Sequence, residues 1–259
     1  MRLPYHRVDS FTQRRFAGNP AGVVLCDDLL EPELMQSIAT ENNLAETAFV
    51  AAERGGFNIR WFTPTVEVDL CGHATLAAAF VLYSTGRVAT DSVRFSSRSG
   101  VLTVLRDAER LALDFPARPP EELEVDAVIT AALGVAPVEW HRAAAMMAVL
   151  GSEREIRELR PDLQAVARLP GYGLVVTAPG EHCDFVSRFF APQIGIDEDP
   201  VTGATHCTLT PYWARRLGKS KLHAMQLSAR GGELWCEARG DRVVIAGHCL
   251  PYFAGHIEV

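Results

Sequence analysis

Three places in the chain carry side chains able to move a proton. Glu46 stands immediately before an apolar, strand-like run, Thr47–Val50. Cys71-Gly72-His73 heads a run from Ala74 to Tyr83 with no charge and almost no polar atom. Asp199, in Glu198-Asp199-Pro200, precedes a second glycine-headed run, Gly203-Ala204-Thr205. Carboxylates and imidazoles are the usual groups of general acid–base catalysis. A glycine at a helix mouth leaves backbone N–H groups bare, and that end of a helix attracts anions. Each candidate also has a plain structural reading. Glu46 can be a solvated end to a helix-to-strand loop, His73 a helix cap, Asp199 an acidic residue favoured near a helix N-terminus, and Cys71 a wall residue.

The elements that would position these residues come in two sets. A helix apolar on all sides is one packed inside the protein, so Ala74–Tyr83 predicts a buried central helix. Its lead-in has an echo. Phe190-Ala191-Pro192 repeats Phe62-Thr63-Pro64, and Ile194, Ile196 and Asp197 follow at the spacing of Val66, Val68 and Asp69. Gly203 then stands where Gly72 stood, with about three residues inserted, and each helical run stops at a second glycine, Gly86 or Gly218. Such self-similarity predicts two related lobes, each with one buried helix. Around the helices, alternating apolar residues predict strands at Tyr5–Phe11, Ala21–Leu25, Thr47–Val50 and Phe57–Trp61, then a meander over Val93–Phe115. Glu31-Pro32 opens a surface helix that closes at Asn42-Asn43. Pro116, Pro119, Pro120 and Glu121-Glu122 read as the linker, which sets lobes of 1–115 and 116–259. The second lobe opens with a helix at Asp126–Leu133 and a strand region over Val138–Leu150. Strands follow at Tyr172–Ala178, Phe185–Phe190, Met225–Ala229, Leu234–Ala238 and Val243–Ala246. The second central helix, Thr205–Leu217, contains Pro211, which should kink it or end it a turn early. The last run, Tyr252–Val259, is a candidate strand returning to the first lobe. The fold class is α+β.

Composition narrows the function. In 259 residues, 48% are hydrophobic and 22% charged, ordinary for a globular protein. The net charge of −7 and the absence of a basic stripe argue against nucleic acid as a partner. No apolar run reaches 18 residues and the N-terminus has no apolar signal core, so neither a membrane span nor secretion is expected and cytoplasm is the default. The six cysteines (Cys26, Cys71, Cys183, Cys207, Cys236, Cys249) include no C-x-x-C pair. Three follow a histidine directly, a spacing that points side chains apart on a strand and about 100° apart on a helix, so no metal site is expected. The chain has no G-x-S-x-G elbow, no P-loop and no dinucleotide fingerprint, and no lysine in an apolar run to hold pyridoxal phosphate.

FAGNPAGVVL, ETAFV, CGHATLAAAF, SRFFAP and EDPVTGA, in that order, resemble the phenazine-biosynthesis isomerase (PhzF-like) family of the diaminopimelate-epimerase-like fold. The resemblance runs from about Val8 to Gly247. It implies two pseudo-symmetric lobes, each a barrel-like, mostly antiparallel sheet around a central helix, with the active site between them. It also implies a homodimer, no cofactor, and proton removal from carbon next to a carboxylate of a small metabolite. Glu46 matches the family's acid/base glutamate, His73 an active-site histidine and Asp199 an active-site aspartate. Gly72, Gly203 and Ala204 would offer backbone N–H groups to the substrate carboxylate, with Cys71 on the pocket wall. Enclosure among apolar surfaces would raise the Glu46 pKa toward neutrality. Where phenazine-type members often carry serine, this chain has Ala204, so a hydroxyl donor is missing and another carbon acid fits at least as well. Epimerases on this fold use a cysteine at each helix mouth. Cys71 fills the first place, but the second falls at about Pro200, and Cys207 lies inside the helix, which disfavours a two-thiol racemase. A binding protein that kept the fold and lost the reaction is the other alternative.

Overall fold

The computed structural model describes all 259 residues and divides them into two compact units, Met1–Asp114 with Ala246–Val259, and Phe115–Ile245. In unit 1, β1 (Arg2–Ser10) and β2 (Asn19–Cys26) form an antiparallel pair. Helix α1 (Pro32–Asn42) follows, with proline in its first turn and Asn43 closing it in the left-handed conformation. Next, β3 (Glu46–Glu53) lies parallel to β2, and β4 (Gly56–Phe62) returns antiparallel to β3. A two-residue strand, β5 (Glu67–Val68), leads into α2 (Gly72–Ser84). Then β6 (Ser92–Ser97) pairs parallel with β4, and β7 (Gly100–Asp107) and β8 (Arg110–Pro116) complete a meander.

Strands β2 and β3 are covered on both faces, which is why they read as nearly unbroken apolar runs. Val24, Cys26, Phe49 and Ala51 pack on Met35, Ile38 and Ala39 of α1. Their alternate neighbours point the other way, toward α2. That helix buries nine residues, Leu76 and Leu82 completely, and touches β1, β2, β3 and β7. Each buried leucine contributes about 1.5–3 kcal/mol, so α2 is the core of this unit.

Unit 2 begins with β9 (Glu121–Leu123), within the stretch expected to be bare linker. Backbone pairing with the next strand turns the acidic run into sheet. Helix α3 (Ala127–Leu133) starts at Asp126, whose carboxylate accepts from the Val128 amide. The predicted strand region Val138–Leu150 is a hairpin, β10 (Glu139–Arg142) and β11 (Met146–Val149). Short helices α4 (Glu153–Glu158) and α5 (Leu163–Val166) precede β12 (Leu174–Pro179), parallel to β11, and β13 (Phe185–Ala191), antiparallel to β12. A single 3-10 turn and β14 (Ile196–Asp199) lead into α6 (Gly203–Leu217). Strand β15 (Lys221–Gln226), parallel to β13, then β16 (Gly232–Arg239) and β17 (Arg242–Gly247) follow. The chain ends in β18 (Cys249–Glu258), antiparallel to β1. Both units have the same α+β plan with mostly antiparallel pairing.

The echo extends to register. Phe62 pairs with Thr47 and Phe190 with Leu174; Phe57 pairs with Phe95 and Phe185 with Ala224. Thr47 and Leu174, and Phe95 and Ala224, are therefore equivalent positions. A guanidinium pins each lead-in at equivalent places: Arg60 holds Glu67 through two 2.7 Å hydrogen bonds, and Arg188 holds Glu198 at 2.7 and 2.9 Å.

Pro211 does not end α6 a turn early; the helix runs to Leu217, with Gly218 closing it in the left-handed conformation. Proline cannot donate to the carbonyl four residues back, which is that of Cys207. The Arg118 amide supplies the missing donor at 2.9 Å.

Candidate active site

Glu46 is the first residue of β3, brought to the α2 mouth by the parallel pairing of Ala21 with Glu46. Its Oε2 lies 3.3 Å from His73 Nε2. On the other side of the ring, His73 Nδ1 lies 3.5 Å from Cys71 Sγ. Carboxylate, imidazole and thiol thus form a row along the first turn of α2. The imidazole is 7% exposed. Burial lowers its pKa to about 4, with a hydrogen bond to the Pro20 carbonyl opposing the shift. At neutral pH the ring is therefore uncharged, one nitrogen a donor and the other an acceptor. The Ser10 hydroxyl donates to the His73 carbonyl at 2.8 Å, which anchors the turn from β1. The Thr75 hydroxyl donates to the Cys71 carbonyl, and Asn42 reaches Thr47 Oγ1 beside Glu46 at 3.2 Å.

In unit 2, Asp199 ends β14 and Thr202 is the N-cap of α6. The Thr202 hydroxyl donates to Asp199 Oδ2 at 2.5 Å. Fully buried Gln226, at the end of β15, holds the same loop with three hydrogen bonds. Its Nε2 donates to the Asp199 carbonyl at 2.9 Å and to Thr202 Oγ1 at 3.1 Å, and its Oε1 accepts from the Thr202 amide at 2.8 Å. Ser228 adds a 2.7 Å bond to the Pro200 carbonyl. Gly203 and Ala204 are the first two residues of α6, where backbone N–H groups lack intrahelical acceptors. Burial raises the Tyr172 hydroxyl above its ordinary range; the Arg118 charge opposes this, while Cys207 and Asp199 add to it.

The structure thus gathers Glu46, Cys71, Gly72 and His73 at one helix mouth, and Asp199, Gly203 and Ala204 at another. Ser10, Pro20, Thr202 and Gln226 were not singled out from sequence. Thr202 could have been found from its place directly before Gly203; nothing local marks Gln226. The counterpart of Cys71 also needs correcting. Both are helix N-caps, so it is Thr202 rather than Pro200. The second mouth still offers no thiol, and Cys207 lies inside α6 with its pKa pushed by burial to about 11. Nor does unit 2 have room for a second Glu46. The equivalent position is Gly173, where a Cβ would come 2.6 Å from Phe189 Cζ and 2.7 Å from the Phe190 carbonyl.

One donor atom each from Glu46, Cys71 and His73 lies within 4.8 Å of the others, so these are the residues that could hold a metal ion. The thiol and the carboxylate, however, face different ring nitrogens, and one ion can take only one of them. Glu46 Oε2 and His73 Nε2, both buried, lie within ion-pair range but make no hydrogen bond with each other.

A duplicated α+β fold with acid–base side chains at a buried helix mouth defines the isomerase and epimerase class of this architecture. The chain belongs to the phenazine biosynthesis-like protein family (PhzC-PhzF), whose sequence pattern matches residues 8–255. It is 54% identical to a protein of Pseudomonas aeruginosa described as an uncharacterized isomerase, with both chains covered in full. The crystal structure of a PhzF-family protein from Enterococcus faecalis superposes with a TM-score of 0.98 at 43% identity, each chain covered completely. A hydroxyproline epimerase from Agrobacterium vitis shares the fold alone, with a TM-score of 0.65 at 9% identity over 99% of this chain and 92% of that one. No helix is long and apolar enough to cross a membrane.

Proposed function

We propose that this protein is a cofactor-independent isomerase that shifts a proton at carbon next to the carboxylate of a small metabolite. The observation that carries the reading is the Glu46 carboxylate 3.3 Å from the uncharged His73 ring at the α2 mouth. Glu46 takes a proton from the acidified carbon, and the electron pair delocalises onto the substrate carboxylate. After exchange with solvent, a proton returns to a different carbon of an unsaturated acid, so the net change is a shifted double bond and nothing is oxidised. His73, an uncharged ring beside Glu46, hydrogen-bonds the substrate or relays a proton. The backbone N–H of Gly72 receives the developing charge, an aimed donor contributing about 3 kcal/mol in a dry site; Gly203 and Ala204 offer the same kind of donor at the α6 mouth. Asp199, at the α6 mouth, is the acid/base group of unit 2.

The rival is a two-base epimerase using Cys71. Thr202 at the matching N-cap disfavours it, because a threonine hydroxyl is far too weak an acid to answer the thiol. The test is incubation in deuterated water with a panel of small acids: α-amino, α-hydroxy and β,γ-unsaturated. Wild type should place deuterium at a carbon of at least one acid, detected by NMR. Glu46→Gln should lower that incorporation by at least about 10²-fold while still binding the acid, and Cys71→Ser should remain near wild type. Incorporation that survives in Glu46→Gln and vanishes in Cys71→Ser would transfer the reaction to the thiol. No label in any acid that binds would make the protein a binder.

A further inference from the structure

We propose that Gln226 and Thr202 are positioning residues that orient the Asp199 carboxylate, acting as one hydrogen-bonded chain; this rests on the reading above in which Asp199 is a working acid/base group. The direction of every hydrogen bond in the chain is fixed by chemistry. The Gln226 amide nitrogen only donates, so Thr202 Oγ1 accepts from it at 3.1 Å. The Thr202 hydroxyl proton is then free for Asp199 Oδ2, which can only accept when ionised. Gln226 Oε1 takes the Thr202 amide, and its second amide hydrogen takes the Asp199 carbonyl. Thus both ends of the Asp199–Thr202 turn are tied to one buried side chain on β15, 24 residues beyond Thr202 in sequence.

This is not a generic brace of the fold. By strand register, the position in unit 1 equivalent to Gln226 is Ser97. Its hydroxyl is spent locally on the Gly100 carbonyl and reaches no helix mouth. The Gln226–Thr202–Asp199 chain thus has no counterpart at Ser97; unit 1 ties its lead-in instead by the Ser99 hydroxyl donating to the Asp69 carbonyl. An aspartate held this way has Oδ2 fixed by the Thr202 hydroxyl, which sets the plane of its carboxylate. Positioning of that kind can be worth about 10²-fold in rate for a displacement near 1 Å.

The experiment reads Asp199 directly and needs no substrate. Carboxyl carbons are followed by 13C NMR through a pH titration of the full chain, with Asp199→Asn supplying the assignment. Tyr172 interacts electrostatically with Asp199, and Glu198, held by Arg188, is its neighbour in β14; all three remain in every variant. Thr202→Val removes the donor to the ionised carboxylate, and Gln226→Met releases the hydroxyl that makes it. Each should raise the Asp199 midpoint by about one pH unit, a tenfold change in acid constant, because a donor to the charged form favours that form. Thr202→Ser, which keeps the hydroxyl, should titrate like wild type. If the midpoint stays put in both Thr202→Val and Gln226→Met, the chain does not orient Asp199 and the proposal is overturned. Should Gln226→Met fail to fold, Thr202→Val against Thr202→Ser decides the matter alone. Separately, unchanged deuterium incorporation in Asp199→Asn would remove Asp199 from the reaction whatever the titration reads, so the two ideas fail by different signals.

Discussion

His73 at the α2 mouth and His206 inside α6 both have pKa values lowered by burial to about 4, each opposed by a backbone hydrogen bond. An unfolded histidine binds its proton near 6.5, so between about 6.5 and 4 the unfolded chain holds protons the folded chain does not. Stability from these burials is complete above 6.5 and falls away as pH drops toward 4, by roughly 3 kcal/mol per ring over the whole window. Glu139 does not confuse the measurement. Burial pushes its carboxyl up, but hydrogen bonds from Tyr212, Arg216 and His141 outweigh that and hold it at about 2, so its own loss of stability begins only below about 4.5. Urea midpoints at pH 7 and pH 5 should therefore fall apart in wild type. His206→Gln, which keeps a donor for the Thr202 carbonyl that His206 Nδ1 meets at 2.8 Å, should remove about half of that drop. An equal drop in the variant would mean that His206 is not titrating across unfolding.

At the scale of elements, the lead-in to each helix mouth depends on one arginine. Arg188 is 8% exposed and ties Glu198 of β14 to β13, while its Nη1 also donates to the Ile156 and Leu159 carbonyls at the end of α4. Removing one partner of a buried pair strands the other, so Arg188→Met should cost about 3 kcal/mol in a denaturant titration. Arg154→Met, which breaks the exposed Arg154–Glu158 pair, should cost no more than about 0.5 kcal/mol. Similar losses in both would mean that the anchor contributes no more than a surface pair. These elements also mark how far sequence reading carried. The all-apolar Ala74–Tyr83 run and the Phe-x-Pro echo lie in contiguous residues, so both central helices and the duplication were legible. That α6 continues past Pro211 was not legible, because the Arg118 amide that serves the Cys207 carbonyl is 89 residues distant by numbering (207 − 118) and comes from a segment that looked like empty linker. Gln226 was invisible for the same reason: its partners, Asp199 and Thr202, are set by the parallel pairing of β15 with β13, which no local pattern announces.

At the scale of the molecule, the duplication has a twist in its connectivity. In unit 2, β9 pairs antiparallel with β10, the counterpart of β1, and all its strands come from one continuous stretch. In unit 1 the strand in that role is β18, which pairs with β1 from Arg2–Glu258 through Ser10–Cys249 and comes from the opposite end of the chain. Unit 1 thus closes only once residues 249–258 have been made, whereas unit 2 is one continuous stretch with a core cluster running from Ile129 to Phe190. A strand that loses its only neighbour on one side exposes a row of unpaired backbone groups and invites aggregation. Residues 115–245 expressed alone should accordingly fold cooperatively, with a dispersed amide NMR spectrum. Residues 1–114 alone should give a collapsed or aggregating species. Adding a synthetic peptide of residues 246–259 should restore a cooperative thermal transition to that fragment, because the peptide supplies the β1 partner and returns Ile257 to its place against the α1 core. A fragment 1–114 that melts cooperatively without the peptide would show that β18 is an ornament of unit 1 rather than one of its structural strands.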